Sequence, residues 1–207
     1  LMEAVTFSFL SEDDAVRFGG GADNLKLVNP ISADLSVMRP SILPNLLSAS
    51  ARNQDRGEAD AAMFEVGPVF LGDAPEDQRT AATGIRHGGT APREWHGSAR
   101  AIDVFDARAD AEAALAALGV KLAGVKVKAE GPDWFHPGRR GQLIQGRTVL
   151  ASFGEIHPSV ADSCGLRGRA VGFEIHVDDV PVPKSKGPSR PLLTLSVYQP
   201  VTRDFAF

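Results

Sequence analysis

Short apolar runs with two-residue alternation, separated by tight turns, constrain this chain more than any other feature of its sequence. A period of two sends successive side chains to opposite faces of a strand, so each run has one face to bury. Val5, Phe7 and Phe9 alternate with Thr6 and Ser8, which predicts a half-buried strand. Residues 63–70 (MFEVGPVF), 80–86, 125–130 and 170–177 read as further strands. Residues 142–145 and 148–155 flank Gly146, and a hairpin is the economical reading. Pro68 cannot donate a ladder hydrogen bond, which assigns the run 63–70 to an edge position or a bulge.

Helical signals lie between these runs. Ser11 is placed to cap a short helix over residues 11–18, with the glycines at 19–21 as its stop. Pro40 and Pro44 can both be accommodated only near a helix start, and Leu43, Leu46, Leu47 and Ala51 then recur at helical spacing up to Gly57. Asp106 is the expected cap of a helix over residues 107–118, ended by Gly119. A short helix is expected from Pro158 to Gly165. Strands joined by tight turns, with a few flanking helices, indicate an α+β fold on a largely antiparallel sheet. No strand runs through a glycine-rich turn into a helix, which disfavours a doubly wound nucleotide fold. The expected organisation is a core over residues 1–180, a Pro-rich linker over 181–191 and the start of a second domain over 192–207.

At 207 residues, 43% hydrophobic and 23% charged, the chain can bury a sizeable core. Its formal charge of -4 provides no global basic field for nonspecific nucleic-acid binding. The lone Cys164 cannot form an internal disulfide and suits a reducing compartment. No run approaches the roughly 18 apolar residues of a membrane span, and no signal peptide opens the chain. These features predict a soluble, cytoplasmic protein. Leu1 and Phe207 both fall against strand-like patterns, so the chain reads as a fragment.

Four segments in order, NPIS with MRPSILPNLL, then FEVGPVF, HPGRRGQL and FGEIHPSV, resemble the beta subunit of bacterial phenylalanyl-tRNA synthetases. They span residues 29–160. The tail VTRDFAF also looks like the opening strand of that subunit's ferredoxin-like anticodon-binding domain. The resemblance implies a class II synthetase-like core lacking an active site, paired with a catalytic alpha subunit in an (αβ)2 enzyme. That enzyme attaches phenylalanine to tRNA(Phe) through an adenylate, with ATP and Mg2+ as its cofactors and none expected in this fragment. In the catalytic relative the strand matching GPVF continues into an arginine that holds the ATP phosphate; here Leu71 follows, and leucine cannot neutralise a triphosphate. The carboxylates that hold a shared magnesium in the family would lie upstream of Leu1, so no metal ligand and no catalytic residue is assigned. The editing and anticodon-binding modules likewise fall outside this span.

On this reading Arg39, Leu43, Leu46 and Leu47 are the candidates for the contact with the alpha subunit. Arg86, Arg93, Trp95, Arg139 and Arg140 are candidates for an RNA contact, through phosphate pairing and base stacking. A solvated surface is favoured over that patch, because Glu94 and Asp133 interrupt it. His136 and His157, each followed by proline, are the chemically tempting pair. With Glu155 they could form an acid-base group in a hydrolase or transferase. Against this, their spacing is not a standard metal-ligand spacing and no cysteine or carboxylate cluster completes a zinc set, so histidines bonded to turns are favoured. Glu65 and Glu155 lie in apolar strands and are expected to be held by partners. A free-standing RNA-binding module ranks last.

Overall fold

The computed structural model describes residues 1–90, 100–182, 195 and 197–205. The long strands are β4 (Ala61–Phe70), β5 (Gln78–His87), β7 (Phe135–Gln145), β8 (Thr148–Ile156) and β9 (Ala170–His176). With the short strands β1 (Met2–Glu3) and β6 (Lys126–Lys128) they form a seven-stranded sheet in the order β1-β4-β5-β9-β8-β7-β6. Only β1 runs parallel to its neighbour; every other pairing in this sheet is antiparallel. The α+β architecture expected from the alternation is therefore present. A separate two-stranded ribbon joins β2 (Phe9–Leu10) to β3 (Val37–Met38).

The turns follow the residues that permit them. Gly146 takes φ +62° between β7 and β8, a left-handed conformation that glycine adopts without steric cost and that suits a two-residue hairpin. Pro68 lies opposite Thr80 of β5, while on its other side β4 is paired with β1 only at Met63 and Phe64. Its missing N–H thus faces an unpaired stretch, as an edge proline requires.

Two helices sandwich the sheet. Helix α2 (Leu43–Asp55) carries Pro44 in its first turn and buries Leu43, Leu46, Leu47 and Ala51 against Met63, Val69, Ile85, Phe135 and Ile156. Helix α3 (Val104–Ala117) covers the opposite face, with Ala111 and Leu115 against Leu143, Phe153, Val171, Phe173 and Ile175. Small alanines let α3 lie close to the strands, and their high helix propensity maintains it. The short helices α1 (Glu12–Arg17) and α4 (Pro158–Ser163) complete the core on the α2 side, where Phe18 and Ala161 join the same cluster.

Two expectations need correction. The alternation of residues 5–9 is not one half-buried strand: the extended backbone links β1 to β2, Thr6 points inward, and Val5 and Phe7 are exposed. The period was right and its phase inverted, because a buried carboxylate attracts the threonine. The cap of α3 is Asp103, whose side chain accepts from Phe105 N and Asp106 N, while Asp106 reaches back to Asp103 N. This reciprocal capping box starts the helix earlier than Asp106 alone would. The linker expected at 181–191 lies almost wholly outside the described residues.

Candidate functional site

Register brings a polar row across the core of the sheet. Glu65 of β4 faces Thr83 of β5, Thr83 faces Glu174 of β9, Glu174 faces Ser152 of β8, and Ser152 faces Gln142 of β7. Side chains directly opposite on antiparallel strands share a face, so the five form one line beneath the α2 side. Glu65 is 4% exposed and Glu174 6%. Each buried carboxylate has its donors, as the cost of unpaired burial requires.

Arg39 answers Glu65. Its Nη1 donates to Glu65 Oε1 at 2.8 Å and to Thr6 Oγ1 at 3.0 Å, and its Nε donates to the Pro68 carbonyl at 2.8 Å. Thr6 Oγ1 in turn donates to Glu65 Oε2 at 2.7 Å. Gly67 makes room for this arrangement, since a Cβ there would stand 2.7 Å from Arg39 Nη2. Glu174 is held differently, by Ser41 Oγ at 2.7 Å, Ile42 N at 3.2 Å and Thr83 Oγ1 at 3.0 Å. Beside it lies a cavity of about 170 Å³ lined by Phe18, Pro40, Trp134, Phe135, Ser152 and His176 among others.

The residues singled out from sequence do not assemble into one centre. Arg39 is 1% exposed, and Leu43, Leu46 and Leu47 are fully buried within this chain. Offering them as a surface for another subunit is therefore corrected: their apolar face is already covered by this chain's own sheet. The RNA patch is also neutralised where it is described. Arg86 makes two bonds to Asp110 of α3, at 2.6 and 2.9 Å; Arg139 binds Glu155; Arg140 binds Asp133 and the Pro132 carbonyl. Arg93 and Trp95 lie outside the described residues.

His136 and His157 do come together, with stacked rings 6.2 Å apart. Their Nδ1 atoms serve local turns: that of His136 accepts from Gly138 N, and that of His157 accepts from Ser159 N and bonds Ser159 Oγ at the start of α4. Glu155 is turned away into ion pairs with Arg139 and Arg169, so the three do not form an acid-base group. Among the described residues no cluster of three or more His, Cys, Asp or Glu could hold a metal ion. Cys164 is a free thiol pushed up to about 11 by burial, with the negative charge of Asp14 adding to the effect, so it is a poor nucleophile. Leu71 is exposed at the end of β4. Arg169, Asp110 and Glu174 are the partners that sequence reasoning missed. Alternation in AVGFEIH placed Glu174 on one face, but nothing local identified that face as the buried polar one.

Residues 1–177 match the family described as the phenylalanyl tRNA synthetase beta chain CLM domain. The chain belongs to that family. It is 53% identical over 208 residues to a phenylalanine–tRNA ligase beta subunit of Rhodospirillum rubrum, covering 100% of this chain and 26% of the relative. It is 49% identical over 213 residues to the corresponding subunit of Brucella suis, again covering 100% of this chain and 26% of the relative. The chain thus spans about a quarter of the length of these curated relatives. A pyrrolysyl tRNA synthetase of Desulfitobacterium hafniense superposes with a TM-score of 0.63 at 15% identity, covering 87% of this chain and 61% of the other. That likeness concerns the fold, which is the class II synthetase type. Among the described residues no helix is long and apolar enough to cross a membrane.

Proposed function

We propose that this chain is a noncatalytic core of a phenylalanine–tRNA ligase beta subunit, which supports assembly with a catalytic alpha subunit. The whole (αβ)2 enzyme would charge tRNA(Phe) with phenylalanine in the cytoplasm, using ATP and Mg2+. The observation that carries the noncatalytic reading is that four arginines on and beside the sheet are held by this chain's own carboxylates. Arg39 serves Glu65, Arg86 serves Asp110, and Arg139 and Arg169 serve Glu155. A phosphate-holding arginine must keep its donors free for the nucleotide, and these do not.

With Arg39, Leu43, Leu46 and Leu47 buried, the assembly reading calls for another surface, and a groove beside α2 supports it. An open groove of about 630 Å³ runs between the outer side of α2 and the extended segment that carries Val5 and Phe7. Both side chains are exposed, although apolar, and Leu35 and Pro44 extend the apolar lining. Such a patch gains by covering.

Sedimentation of the chain mixed with the alpha subunit tests this reading. A heavier complex that Phe7→Asp abolishes, while the variant keeps its thermal transition, is the expected result. A chain that folds and stays separate, alone and when extended to the full subunit, overturns it. A chain that catalyses phenylalanine-dependent ATP–pyrophosphate exchange without the alpha subunit overturns the noncatalytic half.

A further inference from the structure

The carboxylate of Glu174, beside the cavity, is bonded on one oxygen and has no cationic partner among the described residues. All three hydrogen bonds accepted by this carboxylate fall on Oε2. Among the described residues no hydrogen bond reaches Oε1 and no cation pairs with Glu174, in contrast to Glu65 and Glu155 on the same sheet. A carboxylate this deeply buried is stabilised by a cationic partner far more than by neutral donors alone.

The surroundings indicate what that partner is. Glu174 lines the cavity of about 170 Å³ together with Phe18, Pro40, Trp134 and Phe135. Phe18 and Trp134 stand 5.5 Å apart between ring centroids. Aromatic faces next to a carboxylate attract an organic cation through both the ring quadrupole and a charge-assisted hydrogen bond. The cavity reaches the surface beside Gly19 and Leu71, both exposed, so a ligand has a way in. Trp134 and His176 both line this cavity, and among the described residues Trp134 Nε1 and His176 Nδ1 are buried without hydrogen-bond partners. Unpaired buried polar atoms are rare in finished structures, and here two of them gather around one cavity.

We propose that this cavity binds a small primary ammonium compound with an apolar body. Its ammonium donates to Glu174 Oε1, and its body lies against Trp134 and Phe18. A cavity of about 150 Å³ accommodates benzene. A single ring bearing an aminomethyl group therefore matches this volume, and benzylamine is the simplest probe of the class. Ser41, Ile42 N and Thr83 then act as the fixed side of the carboxylate, holding Oε2 so that Oε1 is presented to the ligand.

Fluorine NMR of para-fluorobenzylamine with the 207-residue chain is the test. The probe should broaden and shift on binding, be displaced by benzylamine, and be displaced at least about tenfold less well by benzyl alcohol, which keeps the shape without the charge. Glu174→Gln should weaken binding by about tenfold or more, as loss of a charged hydrogen bond requires. Ser152→Leu fills the cavity from β8 without touching the bonds to Oε2, and it should abolish binding in a chain that still unfolds cooperatively. Equal displacement by the alcohol would mean that the cavity takes apolar rings without regard to charge. Unchanged binding in Ser152→Leu would place the probe elsewhere, and no binding at millimolar probe would mean that the cavity holds water only. Each of these three results overturns the proposal.

Discussion

The two faces of the sheet are built from the same strands but handle charge in opposite ways. Beneath α2, Arg39 and Glu65 are sealed inside and Glu174 is buried beside its cavity, all tied to partners far away in sequence. Beneath α3 the packed cluster is apolar and the charged groups sit toward its edges, where Arg86 meets Asp110, Arg100 meets Asp106, and the buried Glu155 near the end of β8 meets the half-exposed Arg139 and Arg169. On the α3 side the Arg100 hydrogen bonds hold the Asp106 carboxyl below the usual carboxylate range. The difference teaches where specificity resides. An apolar face tolerates small repacking, whereas a buried ion pair permits one register and penalises others, because any slip leaves a charge uncompensated.

The largest effect should come from separating the sealed pair. Arg39→Met leaves Glu65 buried without its cation and should cost about 3–5 kcal/mol. Adding Glu65→Leu removes the stranded charge and should restore a large part of that loss. Thermal or urea unfolding of both single variants and the double variant checks this. A double variant as damaged as Arg39→Met alone would mean that packing volume, not charge, governs this face.

The next comparison should show the two faces as equals. Leu46→Ala on α2 and Leu115→Ala on α3 each empty a fully buried site, and each should cost about 3 kcal/mol. Urea midpoints measured under one set of conditions decide it. If Leu46→Ala proves much the worse, the apolar packing on the α2 face is coupled to the ion pair beneath it.

The same contrast explains what was legible in the sequence. Local chemistry was readable: Ser11 caps α1, glycines follow α2, α3 and α4, and Gly146 turns the β7-β8 hairpin. The apolar stripe of Leu43, Leu46 and Leu47 was readable as a buried face, but periodicity does not say who covers it, and the cover is this chain's own sheet. Nothing near Arg39 in the sequence marks it as buried, so residue type alone points to a surface contact. Its burial is created by Glu65, 26 residues on, and by the register that brings β4 under it. Glu174 lies further out of reach, since its donors Ser41 and Thr83 are 133 and 91 residues away in sequence. At α3 the signal was present but misassigned: Asp103 and Asp106 stand three apart, the spacing of a capping box, and the first of the two is the cap.

The smallest effect belongs to the rim of the α3 face. Arg86 and Asp110 form a two-bond pair with side chains 25% and 16% exposed, and the hydrogen bonds that Arg86 donates to Asp110 raise the Arg86 pKa above its ordinary value. Water still reaches both partners, so their coupling energy in a double-mutant cycle should be no more than about 1 kcal/mol. Added salt should reduce it, because mobile ions screen partly exposed charges. The Arg39–Glu65 coupling should barely respond to the same salt, being closed to ions on every side. A salt response of equal size in the two cycles would erase the distinction between the faces, and one larger at Arg39 would invert it. The expected asymmetry follows from burial alone: both pairs join an arginine to a carboxylate at hydrogen-bond distance, and they differ in what surrounds them.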